Sequence, residues 1–540
     1  MRRRTTLLAS LALVALTACS GPRPVAGPQA PSSGTASPTA GGRLVYGLSA
    51  DAAGFNPVTD QFSSQTYSMV GTMVETLVSV DASGAWKPNL AQSVTPNSAA
   101  DEWTIKLRQG ITFSDGTPLT GEVVLANFKA QQASPLTSSV FGPVLSAELA
   151  DPMSVKVKLR QPWVAFPYHL AAQIGMVLAP ASLADPDAAG RAPIGTGPFT
   201  LKQYVPDSRM VVTRNPTYWR KGLPYLDEIE FRILPDGQTR AQTLEAGGLD
   251  AMGTTRDEDV VKFGALKDSY TVHRPKGMAV AEYMFMLNTA AAPLDDVRVR
   301  RALAHATDRA AVIATVRSGL TEEADGPWSK DSPWYDAGGD YPGYDLARAT
   351  SLVKEVEAEK GPIAFEVLSP PDPSTMAGVE LAQDMWRKAG VDVTIRQADQ
   401  ADLINRAVVG DFQATVWTQF SSPDPDGEYV WLHKNYAQPV GSVALNFSRL
   451  RDVQLSDALD SGRSNPQPEV RKKDYATVQR RLRELVPFVF VDHLDVGSVI
   501  ATTRVRGIVD QTLPDGDRRT PLTGAPVPYH PFTQVWVSAK

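Results

Sequence analysis

The chain has 540 residues, and 53 Lys and Arg against 59 Asp and Glu give a formal net charge of −6 at pH 7. With 43% hydrophobic and 21% charged residues, the composition is that of a globular protein with two or three domains. The mild acidity, without a basic block, argues against nucleic-acid binding. Because the one long apolar run lies at the extreme N-terminus, a protein with several membrane spans is also excluded.

The N-terminus has the pattern of a secretory signal peptide at residues 1–19. Three arginines at 2–4 precede an apolar stretch at 7–16, which is too short to span a membrane. The sequence LTAC that ends at Cys19 resembles the bacterial lipobox. Cys19 is the only cysteine, so we predict that it is acylated and that the mature protein is lipid-anchored and free of disulfides. The alternative is an ordinary signal peptide with an incidental cysteine at its cleavage site.

Residues 20–42 are predicted to form a flexible tether. The segment is dense in Pro, Gly, Ser and Ala and has no apolar periodicity, so it cannot bury enough surface to become ordered. At about 22 residues it spans on the order of 25 Å. Such a tether holds a folded domain away from a membrane surface, which suits a receptor and an enzyme equally.

From residue 43 onward the pattern predicts one contiguous mixed α/β body without an interdomain linker. In chain order, the hydrophobic spacing predicts a strand at 43–50, a helix at 67–77, strands at 103–107 and 154–159, one helix with apolar positions from Val299 to Ile313, a helix at 379–388, a strand at 391–395 and a helix at 475–485. Asp295 and Asp296 are placed to cap the helix that contains Val299.

Motifs of catalytic chemistry are absent from the sequence. It contains no phosphate-binding loop, nucleophile elbow, H-E-x-x-H pair or C-x-x-C pair. The six histidines are scattered without metal-ligand spacing: His169, His273, His305, His433, His493 and His530. We therefore predict a protein that is not an enzyme and has no cofactor or metal site. Paired carboxylates from separate strands leave no sequence signal, so a surface-anchored hydrolase is the alternative from another class.

Four segments, in order along the chain, resemble landmarks of one protein family. They are LRQGITFSDGTPLT at 107–120; PIGTGPF at 193–199 with NPTYW at 215–219; Asn288 with PLDDVRVRRAL at 293–303 and Asp308-Arg309; and GDF at 410–412 with Trp417 and PDP at 423–425. Together they resemble the family 5 extracellular solute-binding proteins, the oligopeptide, dipeptide and nickel receptors of ABC importers. The resemblance extends over residues 43–540.

This resemblance implies an α/β, two-lobed fold of the periplasmic-binding-protein type (class II, cluster C), with an extra subdomain inserted in lobe I. Lobe I would comprise residues 43–87, 206–295 and 501–540, the inserted subdomain residues 88–205, and lobe II residues 296–500. In such a protein the ligand contacts both lobes, which favours the closed state and removes the ligand from water.

The resemblance also indicates ligand-binding residues in lobe II. Trp417 leads into a polar loop that begins at Thr418, and it is either a wall of the ligand pocket or part of the lobe core. In peptide-binding relatives a carboxylate three residues after this aromatic position pairs with the ligand's α-ammonium group, whereas this chain has Phe420 there. Either Asp424 or Asp426 replaces that carboxylate, or Asp424 only shapes the loop and the ligand carries no free ammonium there.

Further candidates lie in lobe I and beside the crossover into lobe II. Asp51 and Ala52 match a stretch that runs beside bound peptide in relatives. Tyr283 and Asn288 flank the crossover, although a Tyr or Asn beside a hinge commonly satisfies backbone groups instead.

The predicted function is that of a lipid-anchored, monomeric substrate-binding protein on the extracytoplasmic face of the cell membrane. It would capture short peptides and deliver them to an ABC permease, while a separate ATPase subunit hydrolyses ATP. Because Phe420 departs from the family pattern, a non-peptide ligand such as a sugar, an opine, a metal chelate or haem stays open. A scaffold that has lost transport and contacts other cell-envelope proteins is a third alternative.

Overall fold

Three β-sheets of four or more strands organise the chain in the computed structural model. The structure describes residues 37–274, 280–420, 422–495, 497–509, 511–519 and 531–538. The predicted signal peptide with Cys19, and most of the predicted tether, lie outside the described residues. Within the described ranges, no helix is long and apolar enough to cross a membrane.

The first sheet has seven strands and is centred on Arg43–Leu48, close to the predicted first strand. This central strand runs parallel to both of its neighbours. The strand order is Tyr270–His273, Ser498–Thr502, Ala251–Thr254, Arg43–Leu48, Glu228–Ile233, Arg209–Arg214 and Phe199–Val205. Leu44, Tyr46 and Leu48 alternate along the strand and are buried in one core, because successive strand residues face opposite sides.

The second sheet has six strands in the order Glu322–Glu323, Phe488–Asp495, Val280–Leu287, Ala414–Phe420, Ala364–Ser369 and Asp392–Gln397. On one of its faces the ring of Trp386 packs edge-on against Phe285, with ring centres 4.9 Å apart. The indole Nε1 of Trp386 donates to Thr307 Oγ1 at 2.9 Å, so the buried ring keeps a polar partner. This packing joins the helix Pro373–Lys388 to the sheet.

The third sheet is antiparallel and has its own core. Its strand order is Ala91–Pro96, Glu102–Leu107, Ser154–Leu159 and Val144–Asp151. The strands predicted at 103–107 and 154–159 are neighbours in this sheet, where Trp103 pairs with Val157 and Ile105 with Val155. All four of these side chains are buried.

Helices cover the sheets, and two pairs of short antiparallel strands complete the described elements. The α-helices are Ser64–Val70, Gly121–Ala133, Ser138–Phe141, Phe166–His169, Pro180–Ala184, Pro186–Arg191, Gly237–Glu245, Asp257–Gly264, Val297–Ala306, Arg309–Val316, Leu346–Lys360, Pro373–Lys388, Gln400–Val409, Tyr429–Leu432, Val453–Ser464 and Pro468–Leu485. The 3₁₀ turns are Gln173–Gly175, Pro425–Glu428 and Lys434–Tyr436. The paired short strands are Val78–Val80 with Trp86–Pro88, and Val505–Arg506 with Trp536–Val537.

Two helix predictions need correction. The single helix predicted through 299–313 is divided into Val297–Ala306 and Arg309–Val316. Asp308 has an extended backbone, and its carboxylate accepts a hydrogen bond from the Ala311 N–H at 3.0 Å, which caps a new helix. The helix predicted at 67–77 ends at Val70, because the chain then extends and Thr76 forms a β-bridge with Met176.

The chain passes between the first and second sheets at two places, and each lies near a predicted lobe boundary along the sequence. The first passage follows Tyr270–His273 and precedes Val280–Leu287, and the second lies between Phe488–Asp495 and Ser498–Thr502. Both passages precede the lobe boundaries predicted at 295 and 500. The strand Phe199–Val205, which was predicted to belong to the inserted subdomain, pairs within the first sheet. The division into lobes stays a prediction. The membership of strands in the two sheets favours lobe boundaries at these earlier positions in the chain.

The second family landmark folds around one buried carboxylate. Glu75 accepts hydrogen bonds from Thr196 Oγ1 at 3.0 Å, from Tyr218 OH at 2.9 Å and from Trp219 Nε1 at 2.7 Å. A Cβ at Gly197 would lie 2.5 Å from the Met73 carbonyl carbon. The motifs at 193–199 and 215–219 are therefore held together by packing and hydrogen bonding within the fold.

Gly197→Ala is expected to lower the free energy of unfolding by about 1–3 kcal/mol, because the added Cβ would overlap backbone that cannot easily move. Chemical denaturation measures the change. Gly264→Ala is the matched control, since nothing lies within 4 Å of its added Cβ, and it should stay within about 0.5 kcal/mol of wild type. Equal losses at the two positions would contradict the close approach at Gly197.

Candidate ligand-binding site

One face of the second sheet lines a cavity. Glu282 pairs with Gln419, and Met284 pairs with Trp417, so these side chains point to the same side of the sheet. The cavity has a volume of about 30 Å³, which is room for a group the size of a water molecule. Its lining consists of Glu282, Met284, Met286, Pro327, Trp417, Gln419, Glu428, Trp431, Leu432, Leu445, Phe447, Ser448, Leu482, Phe488 and Phe490.

Trp417 is a wall of this cavity. Its ring meets Phe447 edge-on at 5.4 Å, and Trp431 meets the same phenylalanine at 5.3 Å. The Trp417 Nε1 donates to Gln419 Oε1 at 3.3 Å. Trp417, Gln419, Trp431 and Leu445 are partly exposed, whereas Phe447 is buried.

Two glutamates line the cavity, with exposed fractions of 1% for Glu282 and 4% for Glu428. Burial raises the pKa of Glu428 to about 8, so this carboxyl group is mostly protonated at pH 7. No hydrogen bond or ion pair joins the Glu428 side chain to another residue in the described part of the chain. The same described ranges contain no group of three or more His, Cys, Asp or Glu side chains that could hold a metal ion.

Asp424, a predicted ligand contact, has a partner within the protein. Its Oδ1 accepts from Arg471 Nη2 at 2.7 Å and from the Asp426 N–H at 2.9 Å. Both Asp424 and Arg471 are buried. The ion pair uses Oδ1, whereas Oδ2 is buried without a hydrogen-bond partner in the described part of the chain. The role of Asp424 as a ligand contact or as a loop-shaping residue therefore stays a prediction.

Asp426 is also buried and paired. Its Oδ1 accepts from Arg463 Nε at 2.6 Å, and its Oδ2 accepts from Trp163 Nε1 at 2.6 Å. Burial alone would raise the pKa of Asp426, but the positive charge of Arg463 and the hydrogen bonds from His169 and Arg463 hold it well below its usual range. The carboxylate is therefore ionised and occupied by the protein itself.

The contacts of Asp426 connect two parts of the fold. Trp163 belongs to the core of the third sheet, whereas Arg463 lies on the helix Val453–Ser464, which packs with the second sheet. A backbone hydrogen bond from Val164 N–H to the Arg463 carbonyl, at 2.9 Å, reinforces the connection. The Arg463 guanidinium also lies 3.5 Å from the ring centre of Tyr429, the residue that follows Glu428.

The predicted lobe I contacts are engaged in local structure. Asp51 Oδ2 accepts from Tyr204 OH at 2.8 Å and from the Asp207 N–H at 2.7 Å, and Asp51 Oδ1 accepts from the Ala52 N–H at 2.8 Å. Ala52 packs on the core of the first sheet. Burial and the hydrogen bond to Asp51 raise the pKa of Tyr204. The Asp51 carboxylate thus stabilises the turn at Asp207.

Tyr283 and Thr418 lie on the face of the second sheet opposite to Trp417. They pair with each other across neighbouring strands, one position along from the pair of Met284 and Trp417. Tyr283 is buried, and the guanidinium of Arg317 lies 4.7 Å from its ring centre. Thr418 is exposed. These two side chains therefore do not border the cavity.

Asn288 is fully buried and satisfies backbone groups. Its Nδ2 donates to the carbonyls of Phe412 at 2.9 Å and Gly410 at 3.1 Å, and its Oδ1 accepts from the Ala290 N–H at 3.1 Å. Phe420 ends its strand opposite Ala281, and its side chain lies outside the described residues. Of the predicted site residues with a described side chain, the cavity includes Trp417.

Several residues of this region escaped the sequence analysis: Glu282, Glu428, Arg463, Arg471 and Trp163. A signal for Glu282 existed, because it occupies a position in an alternating strand whose next members on that face are Met284 and Met286. No such signal existed for Arg463 and Arg471, because they lie on helices more than thirty residues along the chain from the aspartates with which they pair.

A family model described as "Bacterial extracellular solute-binding proteins, family 5 Middle" matches residues 85–438. Since this match spans more than half of the chain, the chain belongs to the family 5 extracellular solute-binding proteins. The family resemblance and the two-lobed α/β fold predicted from the sequence are confirmed. The family is one of solute-binding proteins.

Known relatives agree with this assignment. The chain is 28% identical over 470 residues to protein XP55 of Streptomyces lividans, with 81% of this chain and 83% of the relative covered. It is 27% identical over 442 residues to the dipeptide-binding protein of Escherichia coli K12, with 76% of this chain and 81% of the relative covered. The fold resembles that of an ABC transporter-associated periplasmic binding protein from Helicobacter pylori, solved with the peptide STSA, at a TM-score of 0.76, 21% identity and coverage of 93% and 99%.

Asp426→Asn is expected to lower the free energy of unfolding by about 3–5 kcal/mol, because Arg463 would stay buried without its negative partner. Asp411→Asn is the control, since Asp411 pairs with Arg406 on the surface with 69% of its side chain exposed, and it should cost at most about 1 kcal/mol. Denaturant titration of both variants measures the difference.

The same pair predicts a pH dependence. Because the native pKa of Asp426 is lowered, the advantage of wild type over Asp426→Asn should be complete above the usual Asp pKa of about 4 and shrink as the pH falls through the lower native value. A difference that stayed constant into strong acid would show that the ion pair is not its source.

Proposed function

We propose that this protein is the lipid-anchored, extracytoplasmic substrate-binding component of an ABC importer and that it captures short peptides. In this proposal Cys19 carries the acyl anchor, and residues 20–42 hold the binding domain away from the membrane. The protein acts as a monomer and delivers its ligand to a permease, while a separate ATPase supplies the energy. Membership of a solute-binding family supports this role.

The observation that carries the proposal is the cavity walled by Trp417. Its walls are aromatic and apolar, and its polar groups are few and buried, which is the composition of a small-molecule site. Trp417 was a predicted pocket residue. The name of the dipeptide-binding relative supports peptides as the ligand class.

Closure around the ligand is the proposed mechanism of capture. The first and second sheets would belong to different lobes, which would move relative to each other by a hinge motion. The hydrogen bond from Trp163 to Asp426 and that from Val164 to Arg463 would hold the closed form. A ligand that contacts both lobes adds to these contacts and shifts the population towards closure.

A non-peptide ligand is the second candidate. Phe420 favours it, because the resemblance implies a carboxylate at this position in peptide receptors and a phenyl ring cannot pair with an ammonium group. A sugar, an opine, a metal chelate or haem would then be captured by the same closure. Mass spectrometry of compounds released on denaturing the purified protein separates the candidates, since peptides of varied sequence support the first and one non-peptide compound supports the second.

Trp417→Ala is expected to abolish the stabilisation that bound peptide gives, while changing the melting temperature of the empty protein by only a few degrees, because the indole is partly exposed at the cavity. Thermal unfolding with and without a mixture of short peptides measures both effects.

The matched control is Trp86→Ala, a partly exposed tryptophan that packs on the core of the third sheet. It should retain the peptide-induced shift. If Trp417→Ala instead loses much of the stability of the empty protein, the residue belongs to the lobe core and the proposed pocket is wrong.

A further inference from the structure

A larger cavity lies beside the third sheet, at the end of the strand Glu102–Leu107. It is an open groove with a volume of about 560 Å³, which is within the size range of ligand-binding clefts. Its lining consists of Gln92, Lys106, Arg108, Gln109, Gly110, Ile111 and Trp219. None of these residues lines the cavity at Trp417. Most of the lining is polar, and two of its side chains are positively charged.

The fold holds the guanidinium group of Arg108 in place. Its Nε donates to the Asn89 carbonyl at 2.7 Å, and its Cζ lies 5.9 Å from the ring centre of Trp219. The Trp219 ring is itself fixed, because its Nε1 donates to Glu75 Oε2 at 2.7 Å. Within the described part of the chain, Nη1 and Nη2 of Arg108 form no hydrogen bond or ion pair. These two atoms are therefore positioned to bind a carboxylate through two parallel hydrogen bonds.

Lys106 and Arg108 point to the same side of one extended segment. Ile105 and Leu107 alternate with them and are buried, so the two basic side chains face away from the core. The Arg108 N–H donates to the Leu90 carbonyl at 3.0 Å, which continues the strand pairing past Leu107. Two residues of an extended chain span about 7 Å. The groove thus presents two positive charges from positions at that spacing.

The other lysines of the third sheet have acidic partners. These pairs are Lys156 with Glu102 at 3.1 Å and Lys158 with Glu148 at 3.5 Å. By contrast, no carboxylate among the described residues forms an ion pair with Lys106 or Arg108. Residues 520–530, which lie outside the described residues, contain no Asp or Glu. That segment therefore does not supply the charge that would neutralise the groove.

Neighbouring charges leave the groove positive. Burial lowers the pKa of Arg108, the charge of Asp515 raises it, and the charge of Arg220 lowers it again. Arg220 is held nearby, because its Nη2 donates to the Thr512 carbonyl at 3.0 Å. Asp515 is exposed, so water and salt screen its charge. The surroundings therefore add a third cation and only one weakly acting acid.

We propose that this groove is a docking site for an extended acidic segment of a partner protein, in which two Glu or Asp residues are separated by one residue. In such a segment the two carboxylates lie on one side, about 7 Å apart along the chain, which is the spacing of Lys106 and Arg108. The side-chain amides of Gln92 and Gln109 offer donors and acceptors to the backbone of the segment, and a lone anion would leave these unused. The inference goes beyond the proposed function, because the groove shares no residue with the Trp417 cavity.

Isothermal titration with acetylated and amidated pentapeptides tests the spacing of the charges. At about 50 mM salt, where screening is limited, AEAEA should bind wild type at least about tenfold more tightly than AQAQA. It should bind about threefold more tightly than AEEAA, because adjacent glutamates point to opposite sides of an extended chain. Equal affinities for the three peptides, or no binding of AEAEA, would overturn the inference.

Two variants of the groove test its residues. Arg108→Gln should weaken binding of AEAEA at least about tenfold, and Lys106→Gln about threefold, because the exposed lysine is more strongly screened. Lys106→Gln keeps the test valid if Arg108→Gln is unstable, since an exposed side chain contributes little to folding.

The matched control is Arg160→Gln. Arg160 is an exposed arginine directly after the strand Ser154–Leu159, and its Nε also donates to a backbone carbonyl, that of Gly142 at 3.1 Å. This variant should bind AEAEA as wild type does. The inference is wrong if both groove variants bind AEAEA as tightly as Arg160→Gln does.

Trp417→Ala separates the groove from the proposed ligand pocket. This variant should bind AEAEA as tightly as wild type. If it loses that binding while the groove variants keep it, the peptide occupies the Trp417 cavity and the docking inference fails. If short peptides do not stabilise wild type but AEAEA binds in a manner that depends on Arg108, peptide capture is wrong and the docking inference stands.

Inorganic phosphate and vesicles of phosphatidylglycerol test other anionic occupants of the groove. Binding of AEAEA that phosphate does not displace at equal concentration supports an acidic protein segment. If phosphate or the vesicles bind wild type, Arg108→Gln abolishes that binding and AEAEA does not bind, the groove accepts a different class of anion and the inference is overturned.

Discussion

The site depends on how the fold treats the buried charges of residues 424–428. An unpaired ion in an apolar interior costs several kcal/mol, so each carboxylate must find a partner or remain protonated. The helices Val453–Ser464 and Pro468–Leu485 supply Arg463 to Asp426 and Arg471 to Asp424. Glu428 lines the cavity, and burial raises the pKa of its carboxyl group. One short segment therefore joins the region of Trp163 to the second sheet and also lines the cavity.

Much of the fold could be predicted from local patterns and from the family landmarks. Strands at 103–107 and 154–159 follow from strict alternation, and they are neighbours in the third sheet. The break at Asp308 could not be predicted by periodicity, because apolar spacing continues across it while the Asp308 carboxylate caps a second helix. Strand membership was also beyond local reasoning, since Val280–Leu287 pairs with strands more than a hundred residues later.

The candidate site could be predicted only in part. Trp417 was identified through the family resemblance, and it lines the cavity. Asp424 and Asp426 were identified as acids near the pocket, but their arginine partners come from distant helices, so sequence alone left open whether these acids face the ligand or the protein. Tyr283 was predicted to flank the crossover into lobe II, and a difference of one register position puts it on the face of the sheet opposite to Trp417.

The central claim is that Trp417 forms a wall of the pocket in which the protein captures short peptides. A crystal structure of the protein with a bound lysine-containing tripeptide tests it most directly. The account predicts that the peptide packs against the Trp417 indole, with carbon atoms about 3.5–4.0 Å apart. A peptide bound without any contact to Trp417 would contradict it.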